Sequence, residues 1–288
     1  MRRAAQGHLR RSNPLIFPVR DAVWLLPGAV MFCLCYLLPY GMSFGSSFLG
    51  NSFASSFVGL ENYRVLFGDR LYWLSAKNTL LFLALAIGVT LMLSIALAHW
   101  LFSARALQAF VLVLLLPVFL PASSISALWC ALLGNRSPLL QWLPLKGEQW
   151  KFLSLLLLFI WKNAGAATSL LLVGLRQIDP SVLSAAQIDG ASRRILLRKM
   201  ELPLLRAMLA FALVYLTMNG VRIFRESYLL YGGYPPQNLY FVQHYINSYF
   251  MRLDYGLLSS AAVVFSNIVL ALFLLSWHLL RKGEEESL

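Results

Sequence analysis

The sequence predicts an all-α integral membrane protein with about six transmembrane helices, and two observations lead there. Of the 288 residues 59% are hydrophobic and only 12% are charged, with a mean hydropathy of +0.68; soluble domains carry about 25% charged residues. The apolar residues also gather into six runs, each near the ~20 residues that cross ~30 Å of hydrocarbon as a helix. Membrane-spanning strands would instead show alternating segments of about ten residues, and these are absent. The composition excludes a water-soluble enzyme, a disordered chain and a disulfide framework. A net charge of +12 would suggest nucleic acid in a soluble protein. In a membrane chain the position of each charge matters more than the sum.

The elements follow in order. A tail, 1–21, carries Arg2, Arg3, Arg10, Arg11 and Arg20. The first run, 22–44, exceeds the roughly 7–15 residues of a signal-peptide core, and Pro27 and Pro39 make it irregular, so it reads as a retained helix. Runs at 78–102, 106–133, 150–175, 204–221 and 257–280 complete the transmembrane domain, 22–280. Pro117 and Pro121 predict kinks in the third, tolerated where neighbouring helices satisfy the freed carbonyls. A short tail, 281–288, ends in the solvated run Glu284, Glu285, Glu286.

Six spans place both termini on one side. With the amino terminus in the cytoplasm, fourteen Lys and Arg face inward and nine outward, which agrees with the positive-inside rule. That bias absorbs much of the net charge, so no nucleic-acid partner is expected; membrane lipid is. The connections 45–77 and 223–256 then lie outside, and 176–203 inside. Cys33, Cys35 and Cys130 read as small buried hydrophobes.

Catalytic chemistry is missing from the pattern. His8, His99, His244 and His278 have no metal spacing, and the sequence contains no His-Glu-x-x-His, Gly-x-Ser-x-Gly or phosphate-binding Gly-rich loop. No catalytic, cofactor or metal residues are therefore assigned. The acids Asp21, Glu201 and Asp254 sit near run edges. A carrier coupled to protons or sodium commonly places a carboxylate at membrane depth, so the driving energy is expected from elsewhere.

The inner connection holds the densest local signals. Asp179 suits an N-cap with Pro180 at the first helical position, starting a short helix that ends near Asp189. Gly190 permits a sharp turn, Ser192 can cap a second helix and Pro203 limits it. In that second helix Ile195, Leu196 and Met200 share one side, and Arg194 and Arg198 another. Two roles suit such a hairpin: lying on anionic lipid, or serving as a stiff lug that a soluble partner grips, with Ala185, Ala186 and Ala191 allowing close approach.

Ala185-Ala186, Asp189-Gly190-Ala191 and Leu202-Pro203 together resemble the EAA loop of binding-protein-dependent ABC importer permeases. Ser184 stands where that family usually carries Glu, and Leu197 where Phe is common. Phe57-Val58-Gly59-Leu60-Glu61-Asn62-Tyr63, Trp161-Lys162-Asn163-Ala164-Gly165, Leu175-Arg176-Gln177-Ile178-Asp179-Pro180 and Gly232-Gly233-Tyr234-Pro235-Pro236 resemble segments of its carbohydrate-uptake, maltose-type branch. The resemblance implies the type I importer permease fold, a second homologous permease, two ATPase subunits and an extracytoplasmic solute-binding protein, in a bacterial plasma (inner) membrane. ATP and Mg would reside on the ATPase, with no cofactor in this chain. Ser184, Ala185, Ala186, Asp189, Gly190, Ala191, Arg194 and Leu197 would form the coupling helix in an ATPase cleft. The solute implied is a sugar or oligosaccharide; glycerol-phosphate or another polar solute is the alternative within the branch, and a polytopic lipid enzyme the alternative outside it.

Lys162 is the one cation deep in a run, at a cost of about 2.5–3.5 kcal/mol on insertion scales. Pairing with the second permease or snorkelling would satisfy it, as would donation to a solute. Asn163, Asn219 and Tyr215 are further candidates for the path, although Asn also bonds helices together. Trp129, Trp161, Tyr215 and Phe224 could stack on a sugar ring, but core or interface packing suits them better.

Overall fold

The computed structural model describes residues 23–50, 56–103, 108–133 and 147–285. Tail 1–21, Arg105 and the last three residues lie outside them. The helices are α1 (Leu26–Ser46), α2 (Glu61–Gly68), α3 (Arg70–Ser103), α4 (Gln108–Phe119), α5 (Ala122–Leu133), α6 (Glu148–Gln177), α7 (Pro180–Ile188), α8 (193–204), α9 (Arg206–Val221), α10 (Phe224–Tyr231), α11 (Val242–Met251) and α12 (Tyr255–Glu285). Among the described residues, five helices are long and apolar enough to span a membrane, six if α4 and α5 count as one bent span. Many large apolar side chains of these helices are exposed on the outside of the bundle, as a lipid solvent requires.

Helices α3 and α6 form the central pair, with α4 and α9 packed on them and α1 and α2 set against α12. Phe82, Leu155, Leu158, Phe159 and Leu171 are fully buried in this core. Small residues bring the backbones together: a Cβ on Gly165 of α6 would lie 1.8 Å from the Leu114 carbonyl oxygen of α4, an approach only glycine permits. The bundle has two ends. One carries the 178–205 hairpin, and the chain reaches Val23 and Glu285 there. The far end carries 47–50, 56–70, α10, α11 and the segment between them.

Proline shapes the spans in two ways. Between α4 and α5 the chain turns by 105°, so the third run is two helices with a sharp break between them: Pro121 cannot donate into α4 and the axis breaks at Leu120. At Leu38-Pro39 and Leu202-Pro203 the helix instead continues. Each pair follows a five-residue π-turn, Cys33–Leu37 and Leu197–Glu201, closed by Leu38 N–H to the Cys33 carbonyl and Leu202 N–H to the Leu197 carbonyl. The wider turn relieves the crowding between a proline ring and the carbonyl four residues back. Pro203 therefore does not end its helix; the break comes at Leu205 (φ −85°, ψ 2°).

The helix that carries the second run begins at Arg70, ahead of the run's start at 78. The helix that carries the fifth run ends at Val221, but its buried face continues past Arg222 into α10, with Leu216, Gly220, Ile223 and Ser227 at helical spacing. One other expectation is corrected: Cys33, Cys35 and Cys130 are exposed rather than buried in the core, and Cys130 lines a cavity at the far end.

Polar bonds tie the far end together. Asn62 donates to the Ser47 and Leu49 carbonyls at 2.8 and 2.9 Å, stapling the end of α1 to α2. Asn78 donates to the Gln237 carbonyl and Val242 N–H donates to Thr79 Oγ1. Tyr245 donates to Asp69 at 2.8 Å. The 232–254 connection is thus held on the start of α3.

Candidate functional site

The hairpin is built from its caps. Asp179 Oδ1 accepts the Ser181 N–H at 2.8 Å and Pro180 occupies the first helical position. That N–H, donated to the carboxylate, holds the fully exposed Asp179 carboxyl below its ordinary value. At the other end Gly190 N–H donates to the Gln187 carbonyl and Ala191 N–H to the Ala186 carbonyl, both 3.0 Å, with Gly190 at φ +83°. This is a Schellman cap, which requires the left-handed residue at Gly190 and brings the residues three before and two after the cap into apolar contact. Ala186 and Ala191 fill those places and are both half-buried. The Ala-Ala…Asp-Gly-Ala spacing thus has a local physical reason: it closes α7.

The two arms of the hairpin differ. Helix α7 stands out, with Ser184, Ala185 and Asp189 exposed and Ile188 86% exposed at the tip. Helix α8 is seated on the bundle: Leu196 and Leu205 are buried, Leu197 is half-buried, and Glu201 is 6% exposed. Glu201 meets His99 of α3 at 3.1 Å, beside Ala98, Leu171 and Leu175. Ile195 is exposed rather than sharing a side with the buried Leu196, because consecutive residues of an α-helix point about 100° apart. The side chains of Arg194 and Arg198 lie outside the described ones. Helix α8 thus lies between α7 and the α3–α6 pair, and the chain breaks between α8 and α9 at Leu205.

The path candidates do not converge on one surface. Lys162 of α6 pairs with Glu226 of α10, Nζ to Oε1 2.5 Å, with Glu226 2% exposed. Its partner lies within the chain, so neither snorkelling nor a second permease is needed, and a buried carboxylate does exist in the bundle. Asn163 is buried and donates to the Phe159 carbonyl of its own helix; Asn219 likewise donates to the Tyr215 carbonyl. Tyr215 packs partly buried against the core. Trp129 and Trp161 stack at 5.7 Å, and Phe224 meets the His244 ring edge-on at 4.7 Å.

Sequence reasoning missed Glu226, His99 with Glu201, and the Asn62 staple. The apolar spacing that runs from Leu216 past Arg222 was the available signal for Glu226. No sequence signal pairs His99 with a residue about a hundred positions away. Among the described residues no cluster of three or more His, Cys, Asp or Glu could hold a metal.

No family profile matches the chain. It is 28% identical over 258 residues to the sulfoquinovosyl glycerol transport system permease protein SmoG of Agrobacterium fabrum, covering 83% of each. It is also 28% identical to the trehalose transport system permease protein SugA of Mycobacterium tuberculosis (72% of this chain, 71% of that one) and to the trehalose/maltose transport system permease protein MalF of Thermococcus litoralis (75% and 77%). Among solved structures, it shares the fold of a chain in a bacterial ABC transporter involved in the import of the acidic polysaccharide alginate, with a TM-score of 0.70 over 92% of this chain and 96% of that one, at 20% identity. In the same system's complex with an alginate pentasaccharide-bound periplasmic protein the TM-score is 0.69.

Proposed function

We propose that this chain, a permease subunit of the ABC importer type and a transport subunit rather than an enzyme, forms half of the translocation path for a sugar or oligosaccharide. It works with a second, homologous permease, two ATPase subunits that carry ATP and Mg, and an extracytoplasmic solute-binding protein. The hairpin end, and with it both termini, faces the cytoplasm, in agreement with the Lys and Arg bias.

The observation that carries this reading is the doubly capped α7, standing clear of the bundle while α8 is seated in it. A lug that transmits force has to be stiff. The Asp179 cap and the Gly190 Schellman turn fix both ends of α7 without long-range contacts, and Ile188 offers an apolar tip to a partner's cleft. Closure of the ATPase pair on ATP would carry α7 with it. The Glu201–His99 contact and the seated leucines would pass that movement to α3 and α6, and the bundle would alternate between inward- and outward-facing forms. Ser184, Ala185, Ala186, Asp189, Gly190, Ala191, Arg194 and Leu197 are the residues assigned to that coupling.

Purification of the tagged chain after co-expression with its neighbouring reading frames tests the assembly. An ATPase and a second permease are expected to co-elute, and proteoliposomes of that complex to take up sugar only with ATP and the binding protein. Uptake by this chain alone would contradict the proposal.

A further inference from the structure

At the far end, α5, α6, α10 and the segment after α10 enclose a cavity of about 530 Å³, within the size range of small-ligand sites. Its walls include Trp129, Trp150, Lys151, Ser154, Tyr231 and Tyr234. Trp129 is fixed, donating to the Ser154 carbonyl and Oγ at 3.1 and 3.0 Å and stacking on Trp161. Tyr231 is fixed too, donating to the Lys151 carbonyl at 3.1 Å. Asn238 ties the segment after α10 to the Glu148 carbonyl at the start of α6. The walls are therefore held in place before any ligand arrives. One group is left over: Trp150 Nε1–H is buried with no acceptor among the described residues, and a buried donor without a partner is costly unless a ligand supplies one.

We infer that this cavity is a mouth subsite that takes one pyranose ring of the solute, and that it favours a ring bearing a carboxylate or sulfonate. This rests on the reading of the chain as a saccharide permease. Flat indole and phenol faces suit the apolar face of a pyranose. The polar groups on offer are donors, Trp150 Nε1–H and the Lys151 ammonium, while Ser154 and Tyr231 are already engaged with the protein. Among the described residues no Asp or Glu lines the cavity, so the site supplies acceptors poorly to sugar hydroxyls and donors well to an anionic oxygen. Trp129 joins the cavity wall to the Trp129–Trp161 stack.

The test uses the complete importer in nanodiscs and follows tryptophan fluorescence during titration with methyl β-D-glucuronide and methyl β-D-glucoside. Saturable quenching is expected, tighter for the glucuronide. Trp150→Phe keeps the ring and removes the donor, and is expected to weaken glucuronide binding about fivefold. Lys151→Met is expected to erase the preference for the glucuronide while leaving the glucoside unchanged. Absence of saturation, or equal binding by wild type and both variants, would overturn the subsite; tighter binding of the glucoside would overturn the preference. ATP hydrolysis stimulated by loaded binding protein is measured on the same discs. If it responds while the fluorescence does not, the subsite alone fails; if it never responds, the permease reading fails and takes the subsite with it.

Discussion

Lys162 and Glu226 show what a single residue costs in this bundle. Removing one partner of a buried ion pair strands the other charge, at about 3–5 kcal/mol. Lys162→Met is therefore expected to lower the unfolding temperature sharply in detergent, whatever Lys162 does in transport. Lys162→Met combined with Glu226→Leu removes both charges and is expected to recover stability and uptake together. A stable double variant that no longer transports would instead give the pair a part in the path. His244 sets a second residue-scale expectation. It is fully buried on α11, its Nδ1 accepts the Phe241 N–H, and desolvation pushes it from 6.5 down to about 4. The unfolded chain takes up a proton near pH 6.5 while the folded one resists until about 4. Stability is thus complete above the unfolded value, declines by roughly 3 kcal/mol as pH falls towards the folded one, and levels off below it. His244→Gln keeps an acceptor at the third helical position and does not titrate. Melting curves across that pH window should lose most of their slope in the variant; an unchanged slope would assign it to other groups.

At the scale of elements, two glycines test different things. Gly165→Ala drives a methyl into the Leu114 carbonyl, separating α4 from α6, and is expected to destabilise by about 3 kcal/mol. Native-like melting of that variant would show that the two helices do not meet as described. A methyl added at Gly190 would find no atom within 4 Å, yet the residue sits at φ +83°, so the constraint within the chain is conformational alone. Asn tolerates the left-handed region, and Gly190→Asn is expected to fold normally while uptake falls at least about tenfold, some 1.4 kcal/mol, through a clash in the ATPase cleft. Normal uptake by Gly190→Asn would remove the claim of close contact there. Much of this hairpin was legible beforehand, because its caps are local: Asp179, Pro180 and Gly190 act on near neighbours in the chain. The Leu-Pro pairs were legible as irregularities but not as π-turns, since proline alone does not say whether a helix breaks, as at Pro121, or widens, as before Pro203. Glu226 was hidden because Arg222 and Arg225 end the apolar run, although the buried face continues through them.

Across the whole molecule, the apolar runs were readable from composition. The contacts that join the two ends to the bundle were not, because they link distant segments: Asn78 with Gln237, Tyr245 with Asp69, His99 with Glu201. Those contacts make the far end one braced platform and the hairpin end a lever seated on α3 and α6. The exposed α7 is the pivot of this division of labour, since it is the place where a separate motor would hold the chain. Ile188→Cys in an otherwise cysteine-free importer, treated in membranes with a short bifunctional thiol reagent, probes that grip at its tip. A cross-linked product with the ATPase subunit is expected, its yield changing when ATP is bound. A cysteine at that tip that never captures the ATPase, with the importer active, would contradict the lever.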